Sequence, residues 1–152
     1  MKAAVSLNQN VPKKPARDYK GESLITFPES YIVLDLETTG LSPRRDEIIE
    51  IGAIKVKDGR AEGHFHSLIK PTMEINNFIT RMTGISNEMV ADAPRIGEVI
   101  PPFESFIGDY ILVGHNVHFD INLLYDNFQR ELGWALTNDF VDCLRLAKRL
   151  LP

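Results

Sequence analysis

Two periods alternate along the chain. Tyr31-Ile32-Val33-Leu34-Asp35-Leu36-Glu37 is a β-prone run with two acids at its end, which predicts a strand. Side chains alternate along a strand, so Asp35 and Glu37 share a face with Tyr31 and Val33, and Ile32, Leu34 and Leu36 take the other. Aliphatic residues on both faces predict a strand buried on both sides and central in an α/β sheet. Ile48, Ile49, Ile51, Ala53, Ile54 and Val56 predict a second strand, and Gly63 to Lys70 a third. The Asp58-Gly59 pair between them signals a tight turn, so these two strands are antiparallel.

Residues 72–93 show no sustained period, with Asn76-Asn77, Thr83-Gly84 and Ser86-Asn87-Glu88 as turns or helix caps. From Pro94, residues Ile96, Val99, Ile100, Phe103, Phe106 and Ile107 fall at helical spacing, with Pro101-Pro102 predicted to kink or split the helix. A short strand follows at Tyr110–Val113. A helix over Phe119–Leu132 has Phe119, Leu123, Leu124 and Phe128 on one face and stops at Gly133. A last strand at Asp139–Val141 leads into a helix running to Leu150. Helices interleaved with strands and one hairpin make a mixed sheet, and the class is α/β.

At 152 residues the chain is one domain's worth. No stretch approaches the ~20 apolar residues of a membrane span, so no membrane partner is expected. Met1 to Asn10 lacks the apolar run of a secretory signal and Cys143 is the only cysteine, which together predict a cytoplasmic protein. Residues 1–27 carry five Lys/Arg against two acids and include Pro12-Lys13-Lys14-Pro15, which reads as an N-terminal tail or linker before a domain over 28–152. Leu24, Ile25 and Phe27 leave open an edge strand or packing beneath the sheet. The formal charge of −4 hides twelve Lys/Arg against nineteen acids in the remainder. Such an acidic body argues against a broad basic surface gripping a duplex, and leaves room for a narrow site that holds one strand end through metal ions.

Two same-face acids at a strand end suit a hard divalent cation, and equally suit plain solvation where the strand runs out. Asp120, at the head of a predicted helix, suits a cap on the helix dipole. His115 and His118 have a zinc-like spacing with no further Cys or His pair to complete four ligands, and His64 and His66 read as surface residues. Taken together, Asp35-Leu36-Glu37-Thr38-Thr39-Gly40 and Asn116-Val117-His118-Phe119-Asp120 change the weighing. The chain, from about Tyr31 to Leu151, closely resembles the DEDD superfamily of 3′-to-5′ exonucleases, whose first motif is Asp-x-Glu, often followed by Thr-Thr-Gly, and whose second is similar to Asn-x-x-x-Asp.

The resemblance implies a ribonuclease-H-like fold: a mixed five-stranded sheet with the first strand central and the second antiparallel. It implies two Mg²⁺ or Mn²⁺ ions, with Asp35 bridging, Glu37 on one ion and Asp120 in the shell of the other. Such a pair lowers the pKa of an attacking water and steadies a leaving 3′ oxygen. Thr38 and Thr39 would meet the terminal nucleotide, and Met82-Thr83-Gly84-Ile85 resembles a substrate-contacting loop with Thr83 where other members often carry histidine. Asn116 belongs to the second motif. Leu41, Ile85 and Phe119 would offer apolar contacts to unstacked bases, or serve as core.

The expected activity is release of nucleoside monophosphates from single-stranded DNA ends in replication or repair, with a DNA polymerase as a candidate partner. The rivals are an exoribonuclease trimming RNA 3′ ends and a non-catalytic nucleic-acid or polymerase-binding module. The family's third motif, with a last Asp and in one subgroup a His base, has no counterpart after Asp142, which itself reads as structural. The expectation is therefore an exonuclease domain lacking its C-terminal helices, weakly active or inactive, with self-association through the face so exposed.

Overall fold

The computed structural model describes residues 16–42 and 45–151. In chain order its elements are β1 (Ser23–Leu24), β2 (Tyr31–Thr38), β3 (Ile48–Lys57), β4 (Arg60–Leu68), α1 (Asn77–Thr83), α2 (Ile96–Ile107), β5 (Ile111–Gly114), α3 (His118–Leu132), β6 (Phe140–Asp142) and α4 (Cys143–Leu150). They form one mixed sheet in the order β1-β6-β5-β2-β3-β4. β2 is interior, antiparallel to β3 and parallel to β5. The α/β class and the antiparallel second strand agree with the sequence, but the sheet has six strands rather than five, the extra one being the two-residue β1 alongside β6. None of the described helices is long and apolar enough to cross a membrane.

The β3–β4 turn follows its sequence signal. Asp58 and Gly59 both take positive φ, 50° and 73°, the backbone a two-residue hairpin needs to match strand twist. α2 and α3 cover one sheet face. Ile32, Leu34 and Leu36 of β2 share the main core with Val99, Ile100, Phe103 and Ile107 of α2 and Ile121, Leu124 and Phe128 of α3. The opposite face stays open, with Val33 40% and Ile54 46% exposed, so the expected burial of β2 on both sides is corrected. α2 and α3 pack together on the Ile32 side, leaving alternate residues of β2 without a cover.

Pro101 and Pro102 do not split α2, which runs unbroken through them. Both prolines lie on the exposed side, where water reaches the carbonyls they leave free, while buried Val99, Ile100 and Phe103 hold the other side in place. The stretch expected to be irregular contains α1, which Asn76 caps through its side-chain oxygen on the Phe78 and Ile79 amides, each at 3.0 Å.

A register slip connects this region to the sheet. Glu37 pairs with Glu50 while Thr38 pairs with Ile48, so one residue of β3 is extra. The slip lets sequence neighbours Ile48 and Ile49 both be buried, in different places. Ile48 enters the main core, and Ile49 joins Ile75, Ile79, Ile85 and Val90 in a second, smaller one that seats α1.

Residues 1–15 of the expected tail lie outside the described residues, but 16–27 do not behave as a linker. Arg17 makes a two-pronged pair with Asp126 of α3 at 2.6 and 2.9 Å, Lys20 reaches Asn122 at 2.9 Å, and the Tyr125 hydroxyl donates to the Asp18 carbonyl. Glu22 then exchanges hydrogen bonds with Asp139 and Phe140 as β1 begins. Of the two placements left open for Leu24, it takes the edge strand.

Gly21 makes this docking possible, because a Cβ there would stand 2.0 Å from the Asn138 carbonyl oxygen. Gly21→Ala is therefore expected to lift β1 from β6, to cost about 1–3 kcal/mol in urea unfolding, and to open the Lys20–Gly21 bond to trypsin. Unchanged stability and proteolysis would show that the segment is not held there.

Candidate active site

The central strand ends in two acids. β2 delivers Asp35 and Glu37 to one face, and the slip after Glu37 turns Thr38 and Thr39 inward, where they are 8% and 6% exposed. β5, parallel to β2, ends at Gly114, whose bare α-carbon lets Val117 and the Leu34 carbonyl approach to 2.6 and 3.0 Å of where a Cβ would be. The chain turns there, with Asn116 in the left-handed region at φ 55°, and starts α3 so that Asp120 falls in its first turn.

A cleft of about 640 Å³ gathers Asp35, Glu37, Thr38, Thr39, Leu41, Thr83, Asn116, Phe119 and Asp120. Of the site residues expected from sequence, Ile85 alone is absent from its lining. It is 3% exposed and sits in the second core beneath α1, since the αL turn at Gly84 directs the chain inward. The threonine hydroxyls are also committed elsewhere. Thr38 donates to the Gly40 carbonyl at 2.6 Å, Thr39 to Asp46 at 3.2 Å, and Thr83 to the Ile79 carbonyl at 2.9 Å, so these residues offer the cleft backbone and methyl groups.

Phe78 and Met82 line the cleft too; Phe78 was not singled out from sequence, and Met82 only as the first residue of the Met82-Thr83-Gly84-Ile85 segment. They are one helical turn apart on α1 and 62% and 63% exposed, an apolar stripe facing the acids. The i, i+4 spacing following the Asn76 cap was the available signal.

Electrostatically the site is one-sided. No Lys or Arg lines the cleft among the described residues, His115 being the only basic type on its wall, and none of their ion pairs involves Asp35, Glu37 or Asp120. Burial pushes the Asp120 carboxyl from the ordinary 3.8 up to about 7, with the charge of Asp35 adding to it and the amides of Asp120 and Leu36 opposing. Glu37 is also raised, first by burial, then by Asp35 and by Glu50 directly across the β2–β3 ladder. His66, on the same open face, meets Glu50 at 2.7 Å. Asp142 plays a structural part: one oxygen accepts from the Asn116 and Leu144 amides at 2.9 and 3.0 Å, fixing the turn before α3 and capping α4.

Among the described residues no group of three or more His, Cys, Asp or Glu closes into a metal cluster. The donor types nevertheless suit hard divalent cations: three carboxylates, one of them held near neutrality chiefly by burial, in a cleft whose described lining carries no Lys or Arg. Mg²⁺ in particular binds through one or two carboxylates and completes its shell with water and substrate phosphate.

The chain is 42% identical over 130 residues to a PolC-type DNA polymerase III of Caldanaerobacter subterraneus subsp. tengcongensis, a match that covers 86% of this chain and 9% of that protein. With the Thermotoga maritima PolC-type DNA polymerase III it is 43% identical over 127 residues, 83% of this chain and again 9% of the relative. The chain thus spans about a tenth of the length of these relatives. A solved structure of exonuclease X in complex with 5′-overhanging duplex DNA superposes with a TM-score of 0.65 at 30% identity, covering 80% of this chain and 64% of that one. Product-bound exonuclease I shares the fold, with a TM-score of 0.69 at 19% identity over 80% of this chain and 31% of that one. The exonuclease family model named for RNase T matches residues 32–152, from β2 through both acidic motifs, and the chain belongs to that exonuclease family.

Proposed function

We propose that this chain works as a divalent-metal-dependent 3′-to-5′ exonuclease, releasing nucleoside monophosphates from single-stranded DNA ends in proofreading or repair beside a DNA polymerase. The observation that carries this is the convergence of Asp35, Glu37 and Asp120 on one cleft with no Lys or Arg among its described lining residues. The polymerase names of the relatives and the DNA-bound exonuclease X support the DNA reading over the RNA one.

Asp35, Glu37 and Asp120 would hold the ions, whose contribution when bound is a more acidic attacking water and charge stabilisation at the leaving 3′ oxygen. The protein's own part is binding and orientation. Leu41, Phe78, Met82 and Phe119 present apolar surface on which unstacked bases rest without sequence preference. The backbone at Thr38–Gly40 lies beside the acids, within the same cleft, and fixes the sugar end of the strand. The Asp120 carboxyl, raised to about 7 chiefly by burial, would give up its proton on holding a cation, so cation binding would tighten as pH rises through neutrality.

Incubation with 5′-labelled single-stranded DNA and RNA, in Mn²⁺ or EDTA, separates the readings, with calorimetric Mn²⁺ binding as an activity-independent check. Mononucleotide release from DNA should need Mn²⁺ and fall at least about 10²-fold in Asp35→Ala, together with Mn²⁺ affinity. Release that survives EDTA or that substitution would sink the metal assignment, and preferential RNA trimming would move the substrate.

The raised Asp120 value also fixes a pH dependence. Between 3.8 and about 7 the folded, metal-free chain keeps a proton that the unfolded chain has lost, so its stability declines as pH rises through that window. Asp120→Asn should flatten the decline and stabilise the chain at neutral pH by about 1–2 kcal/mol, allowing for screening in a partly open cleft. Urea unfolding in EDTA at several pH values reads both, and a variant that keeps the wild-type slope would place its source elsewhere.

A further inference from the structure

We propose that Asp46 is a positioning residue for the substrate end of the cleft, and that Gly40 is a glycine because the Asp46 carboxylate occupies the space a side chain would need. The proposal deepens the exonuclease reading and rests on it. Asp46 Oδ2 accepts from the Ser42 amide at 2.7 Å and Oδ1 from the Thr39 hydroxyl at 3.2 Å. Thr39 Oγ1 in turn accepts from the Glu47 amide at 2.9 Å, and the Thr39 amide donates to the Glu47 carbonyl at 2.9 Å. The loop from Thr39 to Ser42 is thereby tied at both ends to the two residues just before β3.

Gly40 lies between these ties. Its φ is not positive, so no conformational freedom of glycine is being used. A Cβ would instead stand 2.6 Å from Asp46 Oδ2 and 2.7 Å from Oδ1 and Cγ. The carboxylate is seated flat against the bare α-carbon, and a methyl group would push it off its donors. What this seat supports is Leu41, 82% exposed at the rim of the cleft. An apolar side chain so far out in solvent binds a base well only if its backbone is already fixed, since ordering it on binding costs affinity.

The neighbouring residue extends the brace. The Glu47 carboxylate takes the Thr72 amide at 2.8 Å, the Thr72 hydroxyl at 2.9 and 3.0 Å, and the Met73 amide at 3.1 Å. That segment leads directly into Asn76 and α1, which carries Phe78 and Met82. Two adjacent acids that do not line the cleft therefore set the two chain segments that present its apolar surface.

The test uses the whole 152-residue chain, a 5′-fluorescein single-stranded oligodeoxynucleotide read by anisotropy in Ca²⁺, and amide hydrogen exchange at Ser42 and Glu47. Asp46→Ala should weaken binding about tenfold and speed exchange at both amides, while Asp46→Asn, which keeps an acceptor, should recover most of the affinity. Gly40→Ala should match Asp46→Ala, and the double variant should be no worse than either single, because both release the same carboxylate. Unchanged affinity in Asp46→Ala, or losses that add in the double variant, would overturn the proposal. If Asp46→Ala fails to fold, Gly40→Ala carries the same comparison. Wild-type chain that binds no oligonucleotide would overturn the exonuclease reading, and unchanged exchange in Asp46→Ala would then overturn the brace separately.

Discussion

Burial of acids at the end of β2, sharpened by repulsion among them, is the constraint around which the structure is arranged. Asp35, Glu37 and Asp120 converge with no Lys or Arg among the described residues of the cleft, and Glu50 faces Glu37 across the ladder. An exposed acid relaxes such repulsion by moving into solvent, but Asp120 is buried and keeps its proton up to about neutral pH instead. A fold tolerates this only when the backbone is held by other means. The interior position of β2 between β5 and β3 supplies them, together with a main core that buries Ile32, Leu34 and Leu36 directly behind the acids.

The one-residue slip after Glu37 is what turns that rigid strand into a cleft. Without it, strict alternation would send Ile48 to the open face, opposite Ile51. With it, Ile48 and Ile51 both reach the main core, Ile49 goes to the second, and α1 has an apolar seat through Ile79 at the edge of the sheet. Phe78 and Met82 then stand free on the outer side of α1, opposite in character to the acids they accompany. The bulge thereby brings the acids and this apolar surface together in one cleft.

Much of this was legible in the residues. The alternation from Tyr31 to Glu37, the Asp58-Gly59 turn and the 3.6-residue period of α2 and α3 are local signals that tertiary packing reinforces, so the elements and the α/β class follow from them. The convergence of Asp35, Glu37 and Asp120 was legible through their motifs, since about eighty residues of chain separate the first pair from the third. What failed were properties set by neighbours distant in sequence. Apolar residues on both faces of β2 suggested two covers, but cover depends on where α2 and α3 land, and both pack on one side. Pro101-Pro102 suggested a break, but a prolyl pair on a solvent face costs less than losing the burial of Ile100 and Phe103. Ile85 resembled a contact by its place in a motif, and the second core claimed it. The linker-like composition of residues 16–24 concealed specific partners on α3 and β6.

Glycine illustrates why short motifs mislead when read residue by residue. Gly40 closes the Thr-Thr-Gly run and invites explanation as a flexible hinge, yet its φ is not positive. Its smallness serves a side chain six positions later, as the smallness of Gly21 serves a carbonyl at Asn138 and that of Gly114 serves Val117. In all three places a missing Cβ lets two segments touch at the margin of the sheet: Gly21 seats the edge strand, Gly114 brings the turn before Asp120 against β2, and Gly40 holds the loop that ends in Leu41. Of the three, Gly114 bears on the acids themselves, since enlarging it would push the turn before Asp120 away from the Leu34 carbonyl of β2 without touching a charge.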